Sequence, residues 1–222
     1  MVADSSPQMT LRAQQSESGF DDLLCRAKAG QTGAIGSLMQ WYVKYLTILA
    51  STQLDGRVRR RVSPSDIVQE TLMAAHRDFH AFRGASQGEL LAWLRQILIH
   101  ALHRSIAQHI KAEKRDVRRD VSIDQMSERL EESACNLAKR LPAIGDSPSA
   151  AMQRREGEIE FANRLSELSD SYREVIVLRI LQGLSFDEIA ARMNRTSGAV
   201  RMLWLRALDS LKTKGDGGDG DA

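Results

Sequence analysis

Apolar residues recur along most of this chain three and four positions apart, the spacing that lines one face of a helix. No stretch alternates between Asn-Gly or Asp-Gly turns as strands do. The pattern predicts an all-α fold. One helical stretch runs from about Phe20 to Ala29, breaks at Gly30 and Gly33, and resumes from Ala34 to about Leu54 around Leu38, Trp41, Tyr45, Ile48 and Leu49. Ser63-Pro64-Ser65-Asp66 opens the next, a capping residue with proline in the first turn. Ile67, Leu72, Ala75 and Phe79 carry that helix to about Phe82, where Gly84 and Gly88 end it. A third, long helix begins near Glu89, carries Leu90, Leu91, Trp93, Leu94, Ile97, Leu98, Ala101 and Leu102, and turns basic from Arg104 onward.

From about Asp116 to Ala151 the stripe degrades, with Pro142 and Pro148 among Gly, Asp and Ser. This reads as a flexible linker in which Met126 to Leu137 forms a short helix but no domain core. The chain then divides into a tail over 1–19, a helical domain over 20–115, the linker over 116–155, a second small helical domain over 156–214 and an acidic tail over 215–222. Both tails are too polar to bury a core and are expected to be disordered.

The second domain carries the sharpest local signal. Ser185-Phe186-Asp187-Glu188 has the form of a capping box, in which serine and glutamate satisfy each other's backbone amides at a helix start. Ile189, Ala190 and Met193 form the buried side of that helix. Asn194 tolerates the left-handed backbone of a tight turn, and Thr196 or Ser197 caps a second helix that runs through Arg206. Val200, Leu203, Trp204, Ala207, Leu208 and Leu211 share one face of it, leaving Gly198, Arg201, Met202, Leu205 and Arg206 turned outward. That is a helix-turn-helix. Its outward face suits DNA, because arginine can pair with guanine edges or phosphate and the small residues near Thr196, Ser197 and Gly198 allow close backbone approach. The same spacing also describes an αα-hairpin packed in a core.

Charge sharpens the picture. The net charge is only +2, yet residues 21–119 hold 16 Lys/Arg against 9 Asp/Glu, while residues 156–214 hold 9 of each. A cationic front half attracts a polyanion. With 42% hydrophobic and 27% charged residues, and no apolar run near the roughly 18 to 20 residues that span a bilayer, no membrane insertion is expected. The polar N-terminus lacks the features of a signal peptide, so the expected location is the cytoplasm. Cys25 and Cys135 form no metal-ligand spacing and are expected as buried free thiols. His76, His80, His100, His103 and His109 have no carboxylate or cysteine at ligand spacing, so no metal, cofactor or catalytic residue is assigned.

Two further constellations lie in the front domain. Asp66, Gln69 and Glu70 fall on one polar face opposite the apolar side of their helix, where they can dock a basic helix or simply complement the helix dipole. Along and beyond the third helix, Trp93, His100, His103, Arg104, His109, Lys111, Lys114, Arg115, Arg118 and Arg119 mix an aromatic, imidazoles and cations, a combination that suits unpaired DNA. Trp93 and Trp204 both sit among apolar residues and read as core. A separate basic run, Arg57 to Arg61, sits in a loop.

Taken together, these residues resemble the bacterial sigma-70 family, in its small extracytoplasmic-function (ECF) type, over roughly residues 20–115 and 156–213. The resemblance rests on Asp66-Ile67-Val68-Gln69-Glu70-Thr71 followed by Phe79 and Phe82-Arg83-Gly84, and on Trp93-Leu94-Arg95-Gln96-Ile97. It rests also on Leu178-Arg179, Gly183-Leu184-Ser185-Phe186-Asp187-Glu188-Ile189-Ala190 and Ser197-Gly198-Ala199-Val200-Arg201. It implies a non-catalytic RNA polymerase sigma factor with a region 2 bundle and a region 4 helix-turn-helix. Asp66, Gln69 and Glu70 would bind core polymerase at the clamp of the β′ subunit, with the β flap as a second contact. Arg95, His100, His103, Arg104, Lys111 and Arg115 would hold the promoter −10 element, and Thr196, Ser197, Gly198, Arg201 and Arg206 the −35 element. The family also implies an anti-sigma factor as a candidate partner.

The chain departs from the family pattern at particular positions. His100 stands where asparagine is frequent, Arg104 stands near a frequent aspartate, and Leu203 and Leu205 occupy positions often held by arginine and histidine. The competing reading is a helix-turn-helix activator with an unrelated helical domain that senses a signal or dimerises. A helical RNA-processing enzyme would need a catalytic cluster, and none is present in the sequence.

Overall fold

The computed structural model describes residues 19–54, 62–112, 122–138 and 148–216. Among these, every regular element is a helix, as the periodicity requires. Helix α1 covers residues 19–28 and ends on Gly30, whose φ of 85° only glycine adopts without strain. Then follow α2 (Thr32–Gln40), α3 (Val43–Gln53), α4 (Pro64–Asp78) with a 3-10 turn over Phe79–Ala81, and α5 (Gln87–Ala112). The stretch expected as one helix from Ala34 is two, because the chain breaks at Trp41 and Tyr42.

Helix starts are set by local chemistry. The Ser63 hydroxyl accepts from the Ser65 amide ahead of Pro64. At α5 the Ser86 hydroxyl accepts from the Glu89 amide, while a Glu89 carboxylate oxygen accepts from the amides of Ala85 and Ser86 at 2.8 and 3.0 Å. This second capping box holds the Glu89 carboxyl below its usual pKa, chiefly through the Ala85 and Ser86 bonds.

The segment read as a linker carries α6 (Ile123–Ala138), longer than the short helix expected there, and the start of α7 (Pro148–Ser166). Met126, Leu130, Ala134 and Leu137 of α6 are all buried. Their spacing of four, four and three is a full helical stripe, so this segment does supply core, against the sequence reading. α6 packs on α3, α5 and α7 and on the π-helical turn over Val177–Leu181. The same stripe leaves Cys135 exposed, and the Phe20–Leu24–Ala27 stripe of α1 does so for Cys25. Neither thiol is buried as expected.

The rear helices are α8 (Asp170–Ile176), prolonged by a π-helical turn over Val177–Leu181, then α9 (Phe186–Met193) and α10 (Ser197–Asp216). Arg173 donates to the carbonyl oxygens of Leu165, Ser166 and Leu168 and so caps the end of α7. Buried apolar side chains run as one cluster from Phe20 to Ala207, with Tyr42, Tyr45, Leu46 and Leu49 at its centre.

Front and rear are also joined by polar contacts at the end of α3. Gln182 donates to the Thr52 carbonyl oxygen at 2.5 Å, and Arg192 donates to that of Leu54 at 3.0 Å. Arg192 donates as well to the Gln182 side-chain oxygen at 3.2 Å. The carbonyls that a helix leaves unsatisfied at its C-terminus thus receive a cation and an amide from the far end of the chain. Asn136 of α6 adds a bond to the Leu181 carbonyl oxygen at 3.3 Å. The tails, the Arg57 to Arg61 run, Lys114, Arg115, Arg118 and Arg119 lie outside the described residues.

Candidate nucleic-acid interface

The rear unit is built around the capping box foreseen in the sequence. The Ser185 amide donates to a Glu188 carboxylate oxygen at 2.8 Å, and the Glu188 amide donates to the Ser185 hydroxyl at 3.3 Å. These bonds hold the Glu188 carboxyl below its usual pKa. Asn194 turns the chain with φ 53° and ψ 50°, the left-handed conformation. The Thr196 hydroxyl then accepts from the Ala199 amide at 3.2 Å, and Ser197 donates to an Asp187 carboxylate oxygen at 2.5 Å. The start of α10 is therefore fastened to the first turn of α9.

Packing fixes which face of α10 is left over. Val200 and Ala207 are buried, Leu203, Trp204 and Leu211 pack partly against the core, and the Trp204 ring meets Phe186 edge-on at 6.4 Å. The guanidinium of Arg179 lies 4.7 Å from the centre of the Phe186 ring and that of Arg201 5.7 Å. Thr196, Gly198, Arg201 and Arg206 are exposed and Ser197 is partly so. Between the arginines stand Met202 and Leu205, 52% and 57% exposed. The sequence reading turned these two outward but gave them no part in binding.

In the front helices, Asp66, Gln69 and Glu70 are exposed on α4, while Ile67, Val68, Thr71 and Ala75 are buried. Gln69 and Met73 line a groove of about 570 Å³ between α4 and the α2–α3 pair, floored by Met39, Val43, Val68 and Leu72. On α5, Gln96, His100, Arg104 and Gln108 form an exposed row at intervals of four, with His103 half-buried beside it. Neither Gln96 nor Gln108 was among the expected DNA-binding residues, although their i±4 spacing from His100 and Arg104 marks them. Arg104 donates to a Glu70 carboxylate oxygen at 2.7 Å, bringing the expected polymerase face and the expected −10 face into contact. The Lys111 side chain lies outside the described residues.

Arg95 is placed differently from the expectation. It points into the molecule, with only 15% of its side chain exposed, donating to the Tyr45 hydroxyl at 3.1 Å and to Glu131 of α6 at 2.8 Å. Burial works against its charge, but Tyr45 and Glu131 outweigh that and hold the guanidinium above the usual arginine pKa. In this arrangement Arg95 ties α5 to α3 and α6 rather than facing a ligand. Its partners, 50 positions before and 36 after it, carry no local signature. Trp93 packs between Phe79 and Phe82, with ring centres 6.1 and 5.2 Å away, as a core residue.

Comparison with known proteins decides the family. The model of sigma-70 region 4 matches residues 159–211, which take in the π-turn, α9 and α10 as far as Leu211. The ECF RNA polymerase sigma factor SigD of Mycobacterium tuberculosis is 26% identical over 96% of this chain and 89% of its own length. This chain is a sigma-70 family factor of the ECF type. The sigma-E factor of Haemophilus influenzae is 27% identical over 86% of this sigma factor and 93% of its own length, and that of Escherichia coli is 29% identical over 67% and 72%. These matches take in the front helices, which an activator sharing only the helix-turn-helix would not give. Among solved structures, CnrH in complex with the cytosolic domain of CnrY is 20% identical, covers 90% of this sigma factor and 99% of that chain, and has a TM-score of 0.32. No helix among the described residues of the sigma factor is long and apolar enough to cross a membrane.

Proposed function

We propose that this factor is a dissociable specificity subunit: residues 20–115 dock core RNA polymerase and capture the unpaired −10 strand, residues 156–214 read the −35 duplex, and the pair directs initiation at one set of promoters. The observation that carries the reading is the α9–α10 unit, capped and locked at both joints, with a cation-flanked face of α10 open to solvent. Asp66, Gln69 and Glu70 present the acidic docking face, and the row Gln96, His100, Arg104 and Gln108 presents donors and imidazole to unstacked bases. Nothing in this scheme is catalytic. The factor supplies binding energy, and tethering two modest DNA contacts to one polymerase raises their effective concentration. It acts in the cytoplasm, with an anti-sigma factor as the partner that would keep it silent.

Retention of purified core RNA polymerase on the immobilised full chain tests the proposal. The wild type retains core, and the Asp66→Lys/Glu70→Lys variant loses it while keeping its melting temperature. Failure of the wild type to retain core overturns the proposal.

A further inference from the structure

Large apolar side chains left in water need a reason, and the described residues show four that are clearly exposed: Trp41, Met73, Met202 and Leu205. The last two stand three positions apart on the outer face of α10. At about 100° per residue, Leu205 and Met202 lie about 60° apart around the helix, Gly198 falls between them, Arg201 sits about 40° beyond Leu205, and Arg206 about 40° beyond Met202. Asp209 closes the line at the far end. The face is thus an apolar centre with a cation on either flank.

We propose that Met202 and Leu205 are specificity-determining residues that read thymine methyl groups in the major groove of the upstream promoter element, with Arg201 and Arg206 gripping the phosphates on either side. The inference rests on the reading of α10 as the −35 helix and assigns its contacts. A helix seated in the major groove turns the centre of its outer face to the base edges and its flanks to the two backbones. Cations on the flanks complement those backbones. An isobutyl group offers no hydrogen bond and a thioether only a weak acceptor, so both are poor partners for the donors and acceptors of guanine, cytosine or adenine edges. The one base feature they match is the C5-methyl of thymine. The two side chains are about 4.5 Å apart along the axis, against about 3.4 Å between base pairs, so the methyls belong to neighbouring pairs. Arginine is thereby moved from base reading to positioning. The apolar contact explains how a −35 helix works with leucine where the family often carries a polar side chain.

The test uses the full chain with core RNA polymerase and a randomised duplex library. Holoenzyme selects a consensus from the library made with thymine. On the selected duplex, each thymine of the upstream element is then replaced singly by deoxyuridine, which removes only the methyl. At one or two neighbouring positions the replacement weakens binding about four-fold, the worth of one buried methyl. In the Met202→Ala/Leu205→Ala variant, whose changes are at exposed positions, the same replacement costs nothing. Arg201→Gln and Arg206→Gln weaken all selected duplexes alike and each lower the salt dependence by about one ion. Deoxyuridine that is harmless at every position, or a penalty unchanged in the double variant, overturns the thymine contact alone. A holoenzyme that selects no upstream sequence overturns the −35 reading with it.

Discussion

Arg104 and Glu70 meet across 2.7 Å, so the acidic face of α4 and the imidazole-bearing face of α5 are not independent surfaces. Each side chain is about half exposed, and a pair of this kind contributes under about 1 kcal/mol to stability. Its consequence is competition: a contact that engages Glu70 releases the Arg104 guanidinium. Glu70→Gln should leave the urea midpoint unchanged and raise the affinity of the free factor for a labelled single-stranded oligonucleotide about two-fold at low salt. Fluorescence anisotropy reads this, and the gain should vanish in Glu70→Gln/Arg104→Gln.

Arg95 should behave as a structural residue. Arg95→Met, which keeps the stem and strands Glu131 and the Tyr45 hydroxyl, should cost about 2 kcal/mol in urea denaturation. Glu131→Gln should cost about 1 kcal/mol, since that carboxylate is 45% exposed and the Tyr45 bond survives. Well below the melting temperature, neither change should alter affinity for single-stranded DNA.

Gly84 closes the aromatic corner. A Cβ there would lie 2.5 Å from the Phe82 ring and 2.7 Å from the Glu89 Cβ, and Glu89 is pinned by its capping box. Gly84→Ala should therefore destabilise by about 1–3 kcal/mol, lower the melting temperature by several degrees and shift Trp93 fluorescence.

High pH should unfold the protein through its buried phenols. Burial pushes Tyr42 and Tyr45 well above the ordinary tyrosine pKa, and for Tyr45 the nearby Arg95 only partly offsets it. A raised folded pKa means that the full contribution is present below about pH 10 and is lost progressively above it, as the unfolded chain sheds protons that the folded chain keeps. Denaturation curves between pH 8 and 11.5 should show this fall, and Tyr45→Phe should make it shallower.

What the sequence revealed was whatever is encoded within a few positions. The Ser185–Glu188 box, the Asn194 turn, the Ser63–Pro64 start and the α10 face depend on neighbours three or four residues apart, and the structure shows each of them. The Ser86–Glu89 box was equally local but hidden by the glycines around it. The α6 stripe was diluted by Ser127, Ser133 and Asn136, so its core role emerges only against α3 and α5. The inward turn of Arg95 depends on Tyr45 and Glu131, and no window along the chain brings those three together.

The caps on α3 come from residues 130 and 138 positions further along. A chain leaving the ribosome therefore exposes Thr52 and Leu54 long before Gln182 and Arg192 exist. During that interval those two carbonyls are left to water. Completion of an early helix is thereby made to wait for residues synthesised well over a hundred positions later, and a nascent chain stopped short of Gln182 would carry an open end where the folded protein has a closed joint.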